Sequence, residues 1–318
     1  MKIMSITITY DDNLATRFGS VVGIKGYMDY YSSTYASPGH AANMGFDGNP
    51  GSNVEIGSTS YYNVYPGLGI PIIGKYMHNT SASSNVDFLV TGGEVPVEGA
   101  TQGQRTIDYM FYTGPYNHTL SGYIDSLVFG GDGYNSTTHE LNTELFTITG
   151  LGAAIGNGFK DTETPVGDGW YDAIHDRNDP NGPNLVHELI LDLMGGGTSG
   201  VGGPYGPGST SVLEDYLDAY GTNQVGTAGY DQFDGFAGAD TFVTNGGSDV
   251  IRVFGSNDSV DVSSYEFFEG ATAQDVYDYY TSYVEIFGGG YVVSDGLGNE
   301  ALIFLASGAS FGADNLIV

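Results

Sequence analysis

The chain has 318 residues, enough for about two domains, and 8 Lys and Arg against 38 Asp and Glu give a formal charge of −30. A surface this acidic repels phosphate backbones and anionic membrane faces, which removes nucleic acid from the list of partners. With no cysteine, disulfides, Cys-ligated zinc, iron–sulfur clusters and thiol nucleophiles are excluded together.

Residues Ser5 to Tyr10 alternate polar and β-branched side chains, the period of a half-buried strand. Val21, Ile24, Met28 and Tyr31 recur at helical spacing, and that helix should stop before Ser37-Pro38-Gly39. A Gly-, Ala-, Asn- and Pro-rich loop follows, from Ala36 to Pro50. Residues 53 to 130 read as strands, the clearest being Val86, Phe88 and Val90 alternating with Asp87 and Leu89 and ending at Gly92-Gly93. A hairpin is expected from Thr106 to Phe129, turning at Thr113 to Asn117. Residues 130 to 183 are Gly- and Asp-rich and read as loop with short strands.

Leu185, Val186, Leu189, Ile190, Leu193 and Met194 form one apolar helical stripe. Ser211 with Glu214 three residues on has the pattern of a capping box, opening a helix through Leu213, Tyr216, Leu217 and Tyr220 that Gly221 should close. Beyond residue 222 Gly and Asp recur among β-branched and aromatic residues, so a boundary is expected there, dividing 1–222 from 223–318. A last helix is expected from Val276, Tyr279, Tyr280, Tyr283 and Val284.

Several motifs carry chemistry in principle. His187-Glu188 begins the zinc-protease pattern H-E-x-x-H, but the position of the second His is Leu191, so the pair reads as part of a core helix. Asp168, Asp172, Asp176, Asn178 and Asp179 are hard oxygen donors, yet they lack EF-hand spacing and read as a solvated acidic loop. The phrases Gly238-Ala239-Asp240-Thr241-Phe242-Val243 and Gly247-Ser248-Asp249-Val250-Ile251 match half of the nonapeptide β-roll repeat. There Gly permits a tight turn and Asp supplies oxygen to calcium held between turns. Calcium is therefore a candidate ion for this region.

Tyr27-Met28-Asp29-Tyr30-Tyr31-Ser32-Ser33-Thr34-Tyr35, followed five residues later by His40, resembles the HasA-type secreted hemophores. So do Ile107-Asp108-Tyr109, the segment His118 to Leu127, and the helices Val186–Met194 and Leu213–Gly221, all in the family's order. The resemblance covers about residues 4 to 222. It implies an α+β domain, a curved antiparallel sheet with helices packed on one face, followed here by a β-rich Gly/Asp-repeat region. It also implies ferric haem b as cargo, held by His40 and Tyr109 on two loops, with His118 orienting Tyr109 and taking its proton. Tyr112 is the alternative to Tyr109, and Met194 and Tyr35 would line the pocket.

The end of the chain, from Gly238 through Asp249-Val250-Ile251-Arg252-Val253-Phe254 to Ala313-Asp314-Asn315-Leu316-Ile317-Val318, is similar to serralysin-like exoproteins. Such proteins leave by type I secretion on an uncleaved C-terminal signal, which agrees with the missing N-terminal signal peptide. The expectation is a secreted, extracellular bacterial protein without enzymatic turnover. It would take haem, free or from host haem proteins, and pass it to a TonB-dependent outer-membrane receptor. An exported hydrolase and a calcium-binding surface or adhesion protein are the alternatives from other classes.

Overall fold

The computed structural model describes residues 6–19, 23–34, 44–47, 55–56, 59–60, 72–74, 76–80, 85–92, 107–111, 118–122, 124–151, 185–194, 208–285 and 289–318. Helix and sheet are both present, with sheet predominating, an α+β protein at the coarse level. The chain divides into two compact, discontinuous units. One comprises Met1–Asp29, Glu144–Ile148 and Glu214–Val318, the other Tyr30–Thr143 and Thr149–Leu213.

In chain order the strands are β1 (Ile6–Tyr10), β2 (Met44–Asp47), β3 (Glu55–Ile56), β4 (Thr59–Ser60), β5 (Ile72–Gly74), β6 (Tyr76–Asn79), β7 (Asp87–Gly92), β8 (Ile107–Phe111), β9 (His118–Gly122), β10 (Ile124–Asn135) and β11 (Glu140–Thr149). They continue as β12 (Thr222–Val225), β13 (Gln232–Asp234), β14 (Thr241–Val243), β15 (Ser248–Phe254), β16 (Ser259–Asp261), β17 (Thr281–Val284), β18 (Gly290–Ser294), β19 (Glu300–Leu305) and β20 (Leu316–Ile317). The helices are α1 (Asp12–Phe18), α2 (Ile24–Thr34), α3 (Leu185–Met194), α4 (Ser211–Tyr220) and α5 (Ala273–Tyr280).

The first unit is organised by a parallel two-sheet solenoid. β12, β14, β16 and β20 pair in one sheet while β13, β15 and β19 pair in the other. Partners lie 18 residues apart, as in Asn223 with Thr241, Gln232 with Val250 and Thr241 with Ser259. Consecutive strands therefore alternate between sheets every nine residues. The side chains that repeat at that interval, Phe233, Phe242, Ile251 and Val260, are fully buried. Rings of Tyr10, Phe233, Phe242, Phe254 and Phe311 follow one another at 5.2, 5.9, 6.0 and 5.5 Å, a continuous aromatic spine worth more than its buried area alone. A segment holding α5 and the β17–β18 hairpin interrupts the winding before β19 rejoins β15, with Ser248 opposite Glu300.

The N-terminal strand belongs to this unit. β1 pairs in parallel with β12, Ile6 opposite Thr222 and Ile8 opposite Gln224, adding one strand before the first turn. Gln224 occupies an interior position, and its polar atoms are satisfied by Tyr10 Oη at 2.8 Å, Thr222 Oγ1 at 3.0 Å and the Asp234 carbonyl at 2.7 Å. Helix α1, which the sequence reading did not anticipate, is capped by Asp11 accepting from Asn13 N. At the start of α2, Asp234 Oδ2 accepts from Lys25 N, and Lys25 Nζ donates to the Gly235 carbonyl at 2.7 Å.

In the second unit β2, β6, β7 and β10 pair antiparallel in that order. Met77, Phe88, Val90, Leu127 and Phe129 of this sheet are buried, as are Leu189, Ile190, Leu193 and Met194 of α3. Tyr31 Oη donates to the Leu193 carbonyl at 2.8 Å. The expected in-and-out alternation of β7 does not hold, since Asp87 and Leu89 are buried as well. Leu89 packs with Val128 and Leu141 on a second apolar face, and Asp87 Oδ2 accepts from Gly133 N at 2.8 Å.

Three further expectations are corrected. The segment after residue 130 is a long hairpin, β10 to β11, closed by Asn135, whose side chain accepts from Thr137 N and whose carbonyl accepts from His139 N. Its glycines imitate a loop, but Gly130 lies inside the strand because a Cβ there would collide with the Thr143 carbonyl. Helix α5 ends at Tyr280, and Thr281–Val284 forms a strand against β18. Tyr279 and Tyr283, at 77% and 58% exposure, therefore belong to no buried helical stripe. Finally, Ser211 is the first residue of α4 rather than its cap. Its hydroxyl donates to Asp192 Oδ2 at 3.1 Å, and the same oxygen accepts from Val212 N at 3.0 Å. Gly221 does close α4, at φ +70°.

Candidate functional site

The hairpin expected from Thr106 to Phe129 is shorter, β8 with β9 ending at Gly122, since Ile124–Phe129 belongs to β10 and pairs with β7; β5 adds a third strand in the order β5, β8, β9. Tyr109 is opposite Ile72 on one side and Leu120 on the other, while Phe111 is opposite His118. Because side chains alternate along a strand, Tyr109 and His118 are positions on one face of the sheet and diagonal neighbours across β8 and β9. Diagonal positions in an antiparallel pair are about 7–8 Å apart.

Two more elements border this sheet. Helix α3 packs on β9, and Met194 at its C-terminal end is buried. Strand β2 packs on β5, and β2 begins four residues after His40. His40 itself, Tyr35 and Tyr112 lie outside the described residues, as do Asp168, Asp172, Asp176, Asn178 and Asp179.

An aromatic cluster not singled out in the sequence sits where β6 meets the β10–β11 hairpin. The rings of His78 and Tyr134 stack at 4.0 Å, those of Tyr76 and His139 at 4.5 Å, and Tyr134 Oη lies 2.8 Å from His139 Nδ1. Tyr76 and Tyr134 also rest on the Leu89–Val128–Leu141 patch. The cluster fastens the hairpin turn to the sheet, a structural role for two histidines.

The aspartates of the solenoid are the other concentration of charge. Asp231, Asp240, Asp249 and Asp258 recur every nine residues and are all buried. The sequence reading recognised two of these phrases; the constant nine-residue interval of Asp was the signal for the rest. Asp240 Oδ1 accepts from Thr222 N and Thr222 Oγ1, both at 2.7 Å, and its Oδ2 accepts from Phe236 N at 2.6 Å. Asp258 accepts from Asp240 N at 2.9 Å and Gly255 N at 2.6 Å. Asp249 Oδ1 accepts from Asp231 N at 2.9 Å, and Asp231 Oδ2 accepts from Thr227 N at 2.6 Å.

Four of these bonds join residues 18 apart, so Asp240, Asp249 and Asp258 each tie one turn to the next, while Asp231 closes its own turn. Burial raises all four carboxyl pKa values, against the opposing pull of the backbone amides; Asp249 reaches about 9 and Asp258 about 6. Calcium requires six to eight oxygens converging at about 2.3–2.6 Å. Here N–H groups aim at the carboxylates, and among the described residues no three acidic or His side chains converge. The described turns do not fit a calcium shell.

Among the described residues no helix is long and apolar enough to cross a membrane. No family model matches the chain, and no curated protein matches it.

Proposed function

We propose that the chain is an extracellular haem carrier of the hemophore type, its curved antiparallel sheet backed by helices and its loops gripping one ferric haem b. The reading rests on the β8–β9 register, in which Tyr109 and His118 are diagonal neighbours on one face, together with the ordered resemblance in sequence. His40 and Tyr109 are the residues that would hold the iron. Met194, in the helix against β9, would contribute apolar surface to the pocket.

The chemistry follows from the residue types. A free tyrosine titrates near ~10, so its phenol is a poor ligand at neutral pH until something removes the proton. Iron(III), a hard acid, favours the phenolate, and a neutral imidazole beside the phenol accepts its proton or its hydrogen bond and makes the oxygen more anionic. His118 has that role here. Phenolate ligation favours ferric over ferrous iron, which suits capture of oxidised haem outside the cell. The small residues around His40, Ser37-Pro38-Gly39 and Ala41-Ala42-Asn43, suit a loop that closes after Tyr109 engages and opens when the cargo is passed to a TonB-dependent receptor. The protein carries haem rather than transforming it, and the C-terminal region serves type I export.

Titration of the purified chain with ferric haem, followed by absorbance, tests this reading. Saturation at one haem per chain is expected, with the His/Tyr ferric spectrum lost in Tyr109→Ala. A normal spectrum in that variant moves the ligand to Tyr112. Absence of saturable uptake by the wild type refutes the carrier reading.

A further inference from the structure

We infer that the C-terminal solenoid folds without calcium, its turns closed by a ladder of aspartate–amide bonds in which Asp249 is held as a neutral carboxylic acid. The geometry of the turns carries the inference. A calcium-filled β-roll turns carbonyl oxygens and carboxylates toward the ion. In this chain the amides of Thr227, Phe236 and Gly255 point at Asp231, Asp240 and Asp258 within their own turns. The amides of Thr222, Asp231 and Asp240 point at Asp240, Asp249 and Asp258 of the following turn. These N–H dipoles supply the positive potential that the ion would otherwise provide, and a cation on the same oxygens would face donors of its own sign.

Asp249 is the exception within the ladder. It is 1% exposed; Oδ1 takes the Asp231 amide, but Oδ2 meets no donor among the described residues. A carboxylate with one bare buried oxygen is costly, and neutralisation by a proton removes most of that cost. The surroundings favour the same state. Asp231 acts on Asp249 from the turn below, Asp249 itself acts on Tyr230 and on buried Tyr265 beyond β16, and Asp295 of the inserted segment and Glu300 at the start of β19 also act on Tyr265. The nearest cation in sequence, Arg252, is exposed and acts on Tyr230 and Asp234.

The pH dependence follows from the raised carboxyl value. A buried acid whose folded pKa exceeds its unfolded one stabilises the fold relative to its ionised state at low pH. That advantage is lost as pH rises from the unfolded value near ~4 through the folded value, about 9 for Asp249. The solenoid is thus firmest in mild acid and loosens toward alkaline pH.

Two measurements on the full chain test this. Hydrogen exchange at the amides of Asp231, Phe236, Asp240 and Gly255, corrected for intrinsic rates, should give the same protection in EDTA as in millimolar calcium, and should fall from pH 7 to pH 9. Asp249→Asn keeps the acceptor for Asp231 and removes the ionisation. It should flatten that fall and raise the melting temperature at pH 9 by about 5 °C. Independently, the 13C carboxyl resonance of Asp249 in the wild type should report the protonated acid at pH 7. Loss of protection in EDTA, an ionised Asp249 at pH 7, or a folded Asn variant with the wild-type pH slope would each overturn the inference.

Discussion

Replacing Asp192 by alanine tests how α3 and α4 are joined. The Asp192 side chain, 7% exposed, accepts from Val212 N at 3.0 Å and from Ser211 Oγ at 3.1 Å. Loss of a side-chain acceptor at a helix N-terminus costs about 1 kcal/mol. Loss of the negative charge near that end of the helix dipole adds roughly 0.3–1 kcal/mol. Together the two contributions come to about 1.3–2 kcal/mol, a factor of roughly 10–30 in the folding equilibrium. At about 2–4 °C per kcal/mol for a unit of this size, the melting temperature read by circular dichroism should fall by about 3–8 °C. Asp192→Asn retains an oxygen for Val212 N and should recover more than half of the loss. If the alanine variant melts with the wild type, or the asparagine variant is as unstable as alanine, the capping assignment is wrong and the Ser211–Glu214 pattern regains its claim.

Phe242→Ala removes a fully buried ring from the middle of the solenoid spine and should cost about 3–5 kcal/mol in urea unfolding. Thr241→Ala, one residue away on a partly exposed position, should change stability by no more than about 0.5 kcal/mol. Gly130→Ala sets a Cβ against the Thr143 carbonyl, and its urea midpoint should fall by an amount corresponding to about 1–3 kcal/mol. His118→Ala should weaken ferric haem uptake about 10–100-fold in an absorbance titration while the tyrosinate band persists; complete loss of that band would make His118 more than an orienting partner.

Much of the local structure was written in the sequence. The strand at Ile6–Tyr10, the buried face Ile24, Met28 and Tyr31 of α2, the α3 stripe and the Gly221 cap all follow from periodicity and from glycine's freedom at positive φ. These features depend on residues within one or two turns of each other. The β8–β9 hairpin was legible for the same reason, and its register then fixed Tyr109 and His118 as diagonal neighbours.

Tertiary structure decided what depends on distant partners. Glycines 130, 131 and 133 read as a loop until Thr143 fills the space beside Gly130. Ser211 read as a cap until Asp192, nineteen residues earlier, supplied the acceptor. Tyr283 and Val284 fitted a helical stripe, but pairing with Tyr291 and Gly290 drew them into a strand. The nine-residue recurrence of Asp was present in the sequence, whereas the direction of the turn amides was not. Residue type makes an aspartate equally able to bind an ion or a backbone N–H. Only the orientation of the peptide planes, set when strands 18 residues apart stack, selects the amide.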